Sequence, residues 1–572
     1  MPAILAHITP STIAPQIVVA ALRALTEIVE ASILSTSSTP LDTQHIANQV
    51  FQPLYIDSMN SIISNSSPRS IQQSQVSLVA GLVIRLCREE RHQSALVASG
   101  MLDLLATRLA GFAVGDGHVI PGADALARRD GLFEAFPDAA SAGVKIGPIL
   151  DAIAAVLGDS GYRAHRLVCS PSILAVFPAV KLEVSGDSLG SRLSSIRPGQ
   201  QQGSAMELIL PELPIAMAKG SFSHSSLHQP EHPDMYGSIR GIPTQPNSIT
   251  AWASNKIGSS TSNGYSDLKE VETPLIPWLI HLARSRTATE RLAAITVLTA
   301  LFKAGLGSQG SREMSIGLLV VPILVDMIAK NTKENRDGDG AEARRRKILE
   351  RAPAILARLI TDSEYLQMAA FDCNAVRAVT RLLKRAYEPI LTLSEPRYWS
   401  PHPDTDMDVE TTSPTSQLGE QGRHPLVAHR VLVREATLKA IGALAAGKEE
   451  YRKCLVAEGI VPFVVDSLTE SPNRPGQVKD RHKDKAAMIT ASLMPSECGM
   501  NPLPVLIAAC HVIRTLARSV SILRTALVDN NVAPIIFRFM KHSDVNIQVA
   551  STATIINLVV EVSPVREVSK QF

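Results

Sequence analysis

Tyr451-Arg452-Lys453-Cys454-Leu455-Val456-Ala457-Glu458-Gly459-Ile460-Val461-Pro462-Phe463-Val464-Val465-Asp466-Ser467-Leu468 is the stretch on which the fold turns. Around Gly459, Tyr451 lies eight residues back and Leu455 and Val456 four and three back, while Val461, Val464 and Leu468 lie two, five and nine ahead. The same offsets return around Gly100 (His92, Leu96, Val97, Leu102, Leu105, Leu109) and Asn374 (Leu366, Ala370, Phe371, Val376, Val379, Leu383). They return again around Asn531 (Leu523, Leu527, Val528, Ala533, Ile536, Met540). Gly and Asn tolerate a left-handed backbone, the conformation that ends one short helix before another begins. Apolar residues three and four apart then mark the buried face of the second helix.

A third, longer helical pattern follows each such pair, at 76–88, 290–304, 344–360, 431–446, 505–517 and 545–560. Weaker copies surround Pro171 and Leu319, and 15–34 supplies a helix at the amino end. Three helices per roughly 42 residues is the armadillo unit, whereas HEAT units of similar period have two. The expected fold is therefore all-α, an armadillo-type α-solenoid: a right-handed superhelix of three-helix repeats with disordered insertions. Its expected divisions are armadillo repeats over 1–184, 274–393 and 425–572. Ser-, Gly-, Pro- and Gln-rich residues 185–273 read as a disordered insertion, within which 206–218 is apolar enough to dock as a helix. Residues 394–424 read as a linker, and 470–504 as a further insertion carrying a charged run at 479–485.

The 572 residues are 45% apolar and 19% charged but only 4% aromatic, so the core is built from Ala, Leu, Val and Ile. Small aliphatic side chains suit helices packed closely on helices. The formal net charge of +2 implies no bulk attraction to nucleic acid or to an anionic membrane. The six cysteines are scattered, without a CxxC pair, and read as small buried hydrophobes in a reducing compartment. No basic segment precedes the apolar residues of the start, so no secretory signal is expected. The most apolar run, 317–329, is broken by Pro322 and Asp326 and is too short to span a bilayer. A soluble intracellular protein is the expectation.

Gly305-Leu306-Gly307-Ser308-Gln309-Gly310 fits GxGxxG, but a dinucleotide site needs that motif between a strand and a helix, and 293–303 reads as a helix. A loop between helices is the better reading. His224, His228 and His232 have the spacing of metal ligands on one helix, yet Pro230 and Pro233 argue against that helix. Arg344-Arg345-Arg346-Lys347 reads either as a nuclear import signal or as the solvated face of a helix, the second being favoured. Asp337-Gly338-Asp339-Gly340 is too short for a calcium loop. HExxH, GxSxG and Walker sequences are absent from the sequence, and no acid, base and nucleophile assemble. No catalytic activity, cofactor, metal or small-molecule substrate is expected.

In an armadillo array the third helices line the concave groove. On this sequence that face carries Arg85, Arg88, Arg358, Lys439, His511, Arg514, Thr515, Arg518 and Asn557. Most are basic, which suits a partner chain rich in carboxylates or ending in one. The competing reading is that they are ordinary exposed charges.

The run 509–529 (ACHVIRTLARSVSILRTALVD) and the run 557–566 (NLVVEVSPVR) are more distinctive than the template. Both resemble the armadillo-repeat scaffold subunit of the GID ubiquitin ligase, the CTLH complex of animals, within the vacuole import and degradation family. The resemblance is close over 504–566, while 77–109 and 431–468 are compatible in pattern and order. It implies a non-catalytic scaffold that joins the ligase core and holds a substrate receptor, whose tail lies in the groove. It further implies ubiquitin-dependent degradation of gluconeogenic enzymes and a place in cytoplasm and nucleus. The family continues past the Ser-Pro motif with further repeats, and receptor docking uses those later repeats. A chain stopping at Phe572 is thus expected to be truncated, or covered by a partner where Ile555, Ile556, Leu558, Val559 and Val560 face outward. An importin-type adaptor for basic cargo is the rival, but such grooves carry Trp–Asn pairs on third helices. None of Trp252, Trp278 and Trp399 is so placed. A nucleotide-dependent enzyme, the third reading, rests on Gly305–Gly310 alone.

Overall fold

The structure, a computed structural model, describes residues 2–8, 14–34, 43–65, 70–120, 122–141, 144–178, 180–181, 271–272, 274–305, 309–332, 339–388, 425–470, 499–518, 527 and 529–559. Within them the chain is helical apart from one two-residue strand pair, and its helices recur in threes. The third helix of each set belongs to a continuous ladder. Its rungs are α1 (Pro15–Leu34), α2 (Ser70–Leu86), α3 (Gly147–Leu157), α4 (Ala288–Lys303), α5 (Asp339–Ile360), α6 (Pro425–Ala445), α7 (Leu503–Leu516) and α8 (Val545–Val559). Each rung packs on the next, which is the one-dimensional contact pattern of a solenoid. The fold is an all-α armadillo-type solenoid.

First and second helices fill the space beside the ladder, for example Glu90–Ala98 with Met101–Gly115, which meet at 72°. The residues between them adopt the left-handed conformation the sequence called for: φ is 83° at Gly100, 61° at Asn374, 69° at Gly459 and 54° at Asn531. The turn consumes the last carbonyls of the first helix. Ser99 N–H donates to Ala95 O and Gly100 N–H to Val97 O, and Cys373 and Asn374 repeat the pattern on Ala369 and Phe371. Around this turn Leu105, Val379, Val464 and Ile536, all five residues past the reference, are fully buried. Each such burial stabilises by about 1.5–3 kcal/mol. The template fails at one point, since Met540 is exposed where Leu109, Leu383 and Leu468 are buried.

Successive sets are tied by a polar device at the position seven before the reference. Gln93 and Gln367 donate their amide Nε2 to the third-helix carbonyls Ala155 O and Ala443 O, at 3.1 and 3.3 Å. In the following first helices, Arg163 donates to Leu157 O at 2.9 Å, and Arg452 to Ala445 O at 3.0 Å and Gly447 O at 2.7 Å. A third helix thus ends against side chains from the sets on both sides, which satisfies carbonyls that no intrahelical donor reaches. One residue earlier, the rings of His92 and Tyr451 lie on Phe51 and Phe371, at centroid distances of 5.3 and 4.4 Å.

Three long stretches fall at the passage from a second helix to a third: 116–146, 387–424 and 468–502. The stretch 177–274 falls instead before helix Leu275–Ser285, and Val180–Lys181 pairs antiparallel with Val271–Glu272 near its two ends. Arg434, fully buried in α6, anchors the feet of two of these connections. Its guanidinium donates to Ala386 O at 3.1 and 3.0 Å, to Gly499 O at 3.3 Å and to Asn501 Oδ1 at 2.9 Å.

Several expectations meet the described residues directly. Helix Ala288–Lys303 precedes Gly305, so the GxGxxG run does not follow a strand. In α5 Arg344 and Lys347 are exposed, as on a solvated helix face, whereas Arg345, 14% exposed, turns in to pair with Glu342 and donate to Asn331 O at 2.6 Å. Of the residues expected to face outward at the end of α8, Ile556 is 58% exposed but Leu558 is buried at 2%. Leu558 turns inward because its helix packs on α7 along that side. The three histidines at 224–232, the apolar piece 206–218 and most of 185–273, 394–424 and 470–504 lie outside the described residues. Among the described residues no single helix is long and apolar enough to cross a membrane.

Candidate protein-binding face

Arg85, Arg358, Lys439, His511, Arg514, Thr515 and Asn557 lie on rungs of the ladder, and two of the expected groove residues do not. Arg88 lies beyond the end of α2, which stops at Leu86, and Arg518 lies beyond α7, which stops at Leu516. Both helices stop earlier than periodicity implied, because apolar spacing continues into the turn that buries Cys87 and Ala517.

On the first six rungs Arg85, Arg358 and Lys439 already have acidic partners. Arg85 pairs with Glu30 of α1. Arg358 donates to Gly158 O at 2.7 Å and pairs with Asp159 at 2.5 Å. Lys439 pairs with Glu435 one turn back in α6 at 2.6 Å. Two further pairs bridge rungs: Arg351 makes a bidentate contact with Asp151 of α3 at 2.8 and 2.6 Å, and His429 meets Glu350 at 2.7 Å. Glu30, Asp151, Asp159, Glu350 and Glu435 thus stand beside these basic side chains, and the charge there is mixed.

The carboxyl-terminal rungs differ. Arg514 on α7 and Arg518 just past it form no ion pair among the described residues, and Arg514 Nε is buried without a hydrogen bond there. Asn557 of α8 donates Nδ2 to Arg514 O at 3.0 Å, fixing the two rungs against each other beside these cations. Partial burial, and then the Arg514 charge, hold the His511 imidazole below its ordinary pKa. Thr515 turns its hydroxyl back to His511 O and Val512 O, at 3.1 and 2.8 Å, and so serves the helix. Arg518 adds its charge near Arg452, whose pKa is lowered chiefly by burial, against the pull of Glu449, and further by Arg518. What this end offers is Arg514 and Arg518, cations that form no ion pair among the described residues and so suit carboxylates.

Sequence reasoning missed Gln93, Arg163, Gln367, Arg434 and Arg452, the side chains that hold the rungs in register. Trp278 is fully buried in helix Leu275–Ser285 against Phe177, at a centroid distance of 5.3 Å, and takes no part in the face. Trp252 and Trp399 lie outside the described residues. Among the described residues no three His, Cys, Asp or Glu side chains converge on a metal position.

No family model matches the chain. It is similar to GID complex subunit 5 of Schizosaccharomyces pombe, 26% identical over 294 residues that make up 51% of this chain and 30% of that protein. It is also similar to Armadillo repeat-containing protein 8 of Xenopus laevis, 26% identical over 317 residues, 52% of this chain and 39% of that protein. The resemblance to an armadillo-repeat GID subunit read from the sequence is borne out by these relatives, of whose lengths the matched region spans roughly a third. Solved structures include an engineered protein (TM-score 0.32, 13% identity, 97% of each chain). They also include a designed armadillo repeat protein (TM-score 0.29, 13% identity, 50% of this chain and 82% of that one). These likenesses are loose, and the fold rests on the chain's own three-helix packing.

Proposed function

We propose that this chain is a non-catalytic scaffold of a GID/CTLH-type ubiquitin ligase, linking a substrate receptor to the ligase core for the degradation of gluconeogenic enzymes, in cytoplasm and nucleus. The observation that supports it is the pair of cations Arg514 and Arg518, which form no ion pair among the described residues. That pair falls in the stretch 509–529 whose wording resembles the family most closely. A carboxylate-bearing partner chain lying along α7 and α8 meets Arg514, Arg518 and the His511–Asn557 edge, while the earlier rungs act as a rigid spacer. The partners are protein subunits, with no nucleic acid, membrane or small-molecule substrate among them. The importin-type reading gains nothing from Trp278, which is enclosed in the core.

Affinity purification of the tagged full chain, with mass spectrometry of what it retains, tests the reading. Recovery of RING-bearing ligase subunits is the expected result. Recovery of nuclear import factors without ligase subunits overturns it.

A further inference from the structure

Away from the ladder, the amino-terminal sets carry a cleft on their second-helix edge. Two hollows, of about 520 and about 660 Å³, share Ser64, Leu104, Thr107 and Ser172. Together they cross helices Pro53–Ser64, Met101–Gly115 and Pro171–Val176. One wall is fixed by close approach: Ala140 N–H donates to Gly111 O at 2.9 Å, and a Cβ at Gly111 would lie 2.8 Å from Asp138 O. The segment running past Asp138 is thereby held against the helix, and the cleft stands open beside it.

Its floor holds two polar oxygens without a hydrogen bond among the described residues. Ser170 is 2% exposed, faces the smaller hollow, and its hydroxyl has no hydrogen bond among the described residues. Asn60 faces the same hollow. Its Nδ2 donates to Ser99 O at 2.9 Å, which fixes the amide's orientation and leaves Oδ1 buried without a donor among the described residues. The cation nearest the floor is already committed, because Arg108 donates to Ile63 O at 2.7 Å and to Asn65 O. The rim is acidic. Glu134 and Asp138 line the larger hollow, are exposed, and form no ion pair among the described residues, while Asp103 is matched by Arg166 at 2.8 Å.

We propose that this cleft binds an extended basic peptide. Lysine or arginine side chains reach Glu134 and Asp138, and peptide N–H groups donate to the oxygens of Asn60 and Ser170 that lack a hydrogen bond among the described residues. The cleft runs across three successive second helices, and its buried acceptors with an acidic rim select a donor-rich extended chain. This occupant is independent of the carboxylate-bearing chain proposed for α7 and α8, which lies on another face and has the opposite charge.

The test is fluorescence anisotropy of the full chain at low salt with two fluorescein-labelled peptides, one of alternating lysine and glycine and one of alternating glutamate and glycine. The lysine peptide is expected to bind at least tenfold more tightly. Combining Glu134→Lys with Asp138→Lys, both exposed, is expected to weaken it at least tenfold with an unchanged thermal melt, and Ser170→Ala to weaken it further. Equal affinity for the two peptides, no binding of the lysine peptide, or undiminished binding by the charge-reversed variant would overturn the proposal.

Discussion

The guanidinium carbon of Arg434 lies 4.1 Å from the centroid of the Tyr387 ring, stacking a buried cation on the first residue beyond helix Ala375–Ala386. Tyr387 in turn shares a hydrogen bond with Ser467 Oγ at 2.6 Å, and burial raises its phenol's pKa. The feet of two long connections are thus fastened to one side chain. Arg434→Met keeps the stem but leaves the carbonyls of Ala386 and Gly499 and the Asn501 amide oxygen without this donor. Each buried acceptor so orphaned costs about 1–3 kcal/mol, and a loss of about 3 kcal/mol or more is expected in urea unfolding. Arg434→Lys should recover less than half of it, since an ammonium lacks the planar fork. A melt unchanged by Arg434→Met would show the network to be ornamental.

The left-handed turns give a second expectation. A Cβ at Gly100 meets no atom within 4 Å, so Gly100→Ala reports backbone strain alone. Its cost should be about 1–2 kcal/mol, the price of a left-handed L-residue. Asn374→Gly should be neutral or slightly stabilising, and Asn374→Val as costly as Gly100→Ala or more. The denaturant midpoints of the three variants provide the comparison.

Thiol reactivity should follow burial. Burial pushes the Cys87 and Cys510 thiols up to about 12, whereas Cys169 is exposed. Iodoacetamide at pH 8 is expected to label Cys169 in the native chain and to reach Cys87 and Cys510 only after urea is added. Peptide mapping would expose the idea as wrong if all three were modified together.

Acid should weaken the stack in the histidine range. Burial is the main cause that lowers the pKa of His92 and of His281, and His118 adds to it at His281, its ring centroid 4.8 Å away. A depressed folded pKa contributes stability that is present above the unfolded value of about 6.5 and lost as pH falls through the folded value. The urea midpoint should therefore drop between pH 7 and pH 5, and His281→Gln should flatten that slope. Glu90, held below its ordinary 4.5 by its hydrogen bond from Arg163, acts in a separate and more acid window.

On the binding face, Arg514→Glu with Arg518→Glu should weaken a glutamate-rich peptide about tenfold or more in anisotropy. Lys439→Glu should change that affinity little, because its charge is spent on Glu435. Equal losses from both variants would mean that the whole ladder, and not its carboxyl-terminal end, attracts the peptide.

What the sequence disclosed was set by local spacing. Gly100, Asn374, Gly459 and Asn531 could be found because a left-handed turn restricts residue type, and the flanking apolar offsets repeat within twenty residues. The third helix Gly147–Leu157 escaped notice because it is short and buried almost all round, leaving no polar face to beat against the apolar one. Arg434 went unread, although it shares the buried stripe of Val431, Leu438 and Ile441, a signal that was there to read. The matching of Arg358 by Asp159 was not legible, since nothing local joins residues from separate repeats. The same holds for Arg351 and Asp151, 200 positions apart.

Lys181 and Val271 face each other in the strand pair, so the chain comes back to where it departed. Between those two residues the helices have only one strand spacing, about 5 Å, to bridge. Lengthening a connection between fixed ends costs only about 0.6 kcal/mol per doubling. The span between Lys181 and Val271 is accordingly the natural port for grafting a reporter domain whose own ends lie close together, leaving the ladder's pitch untouched.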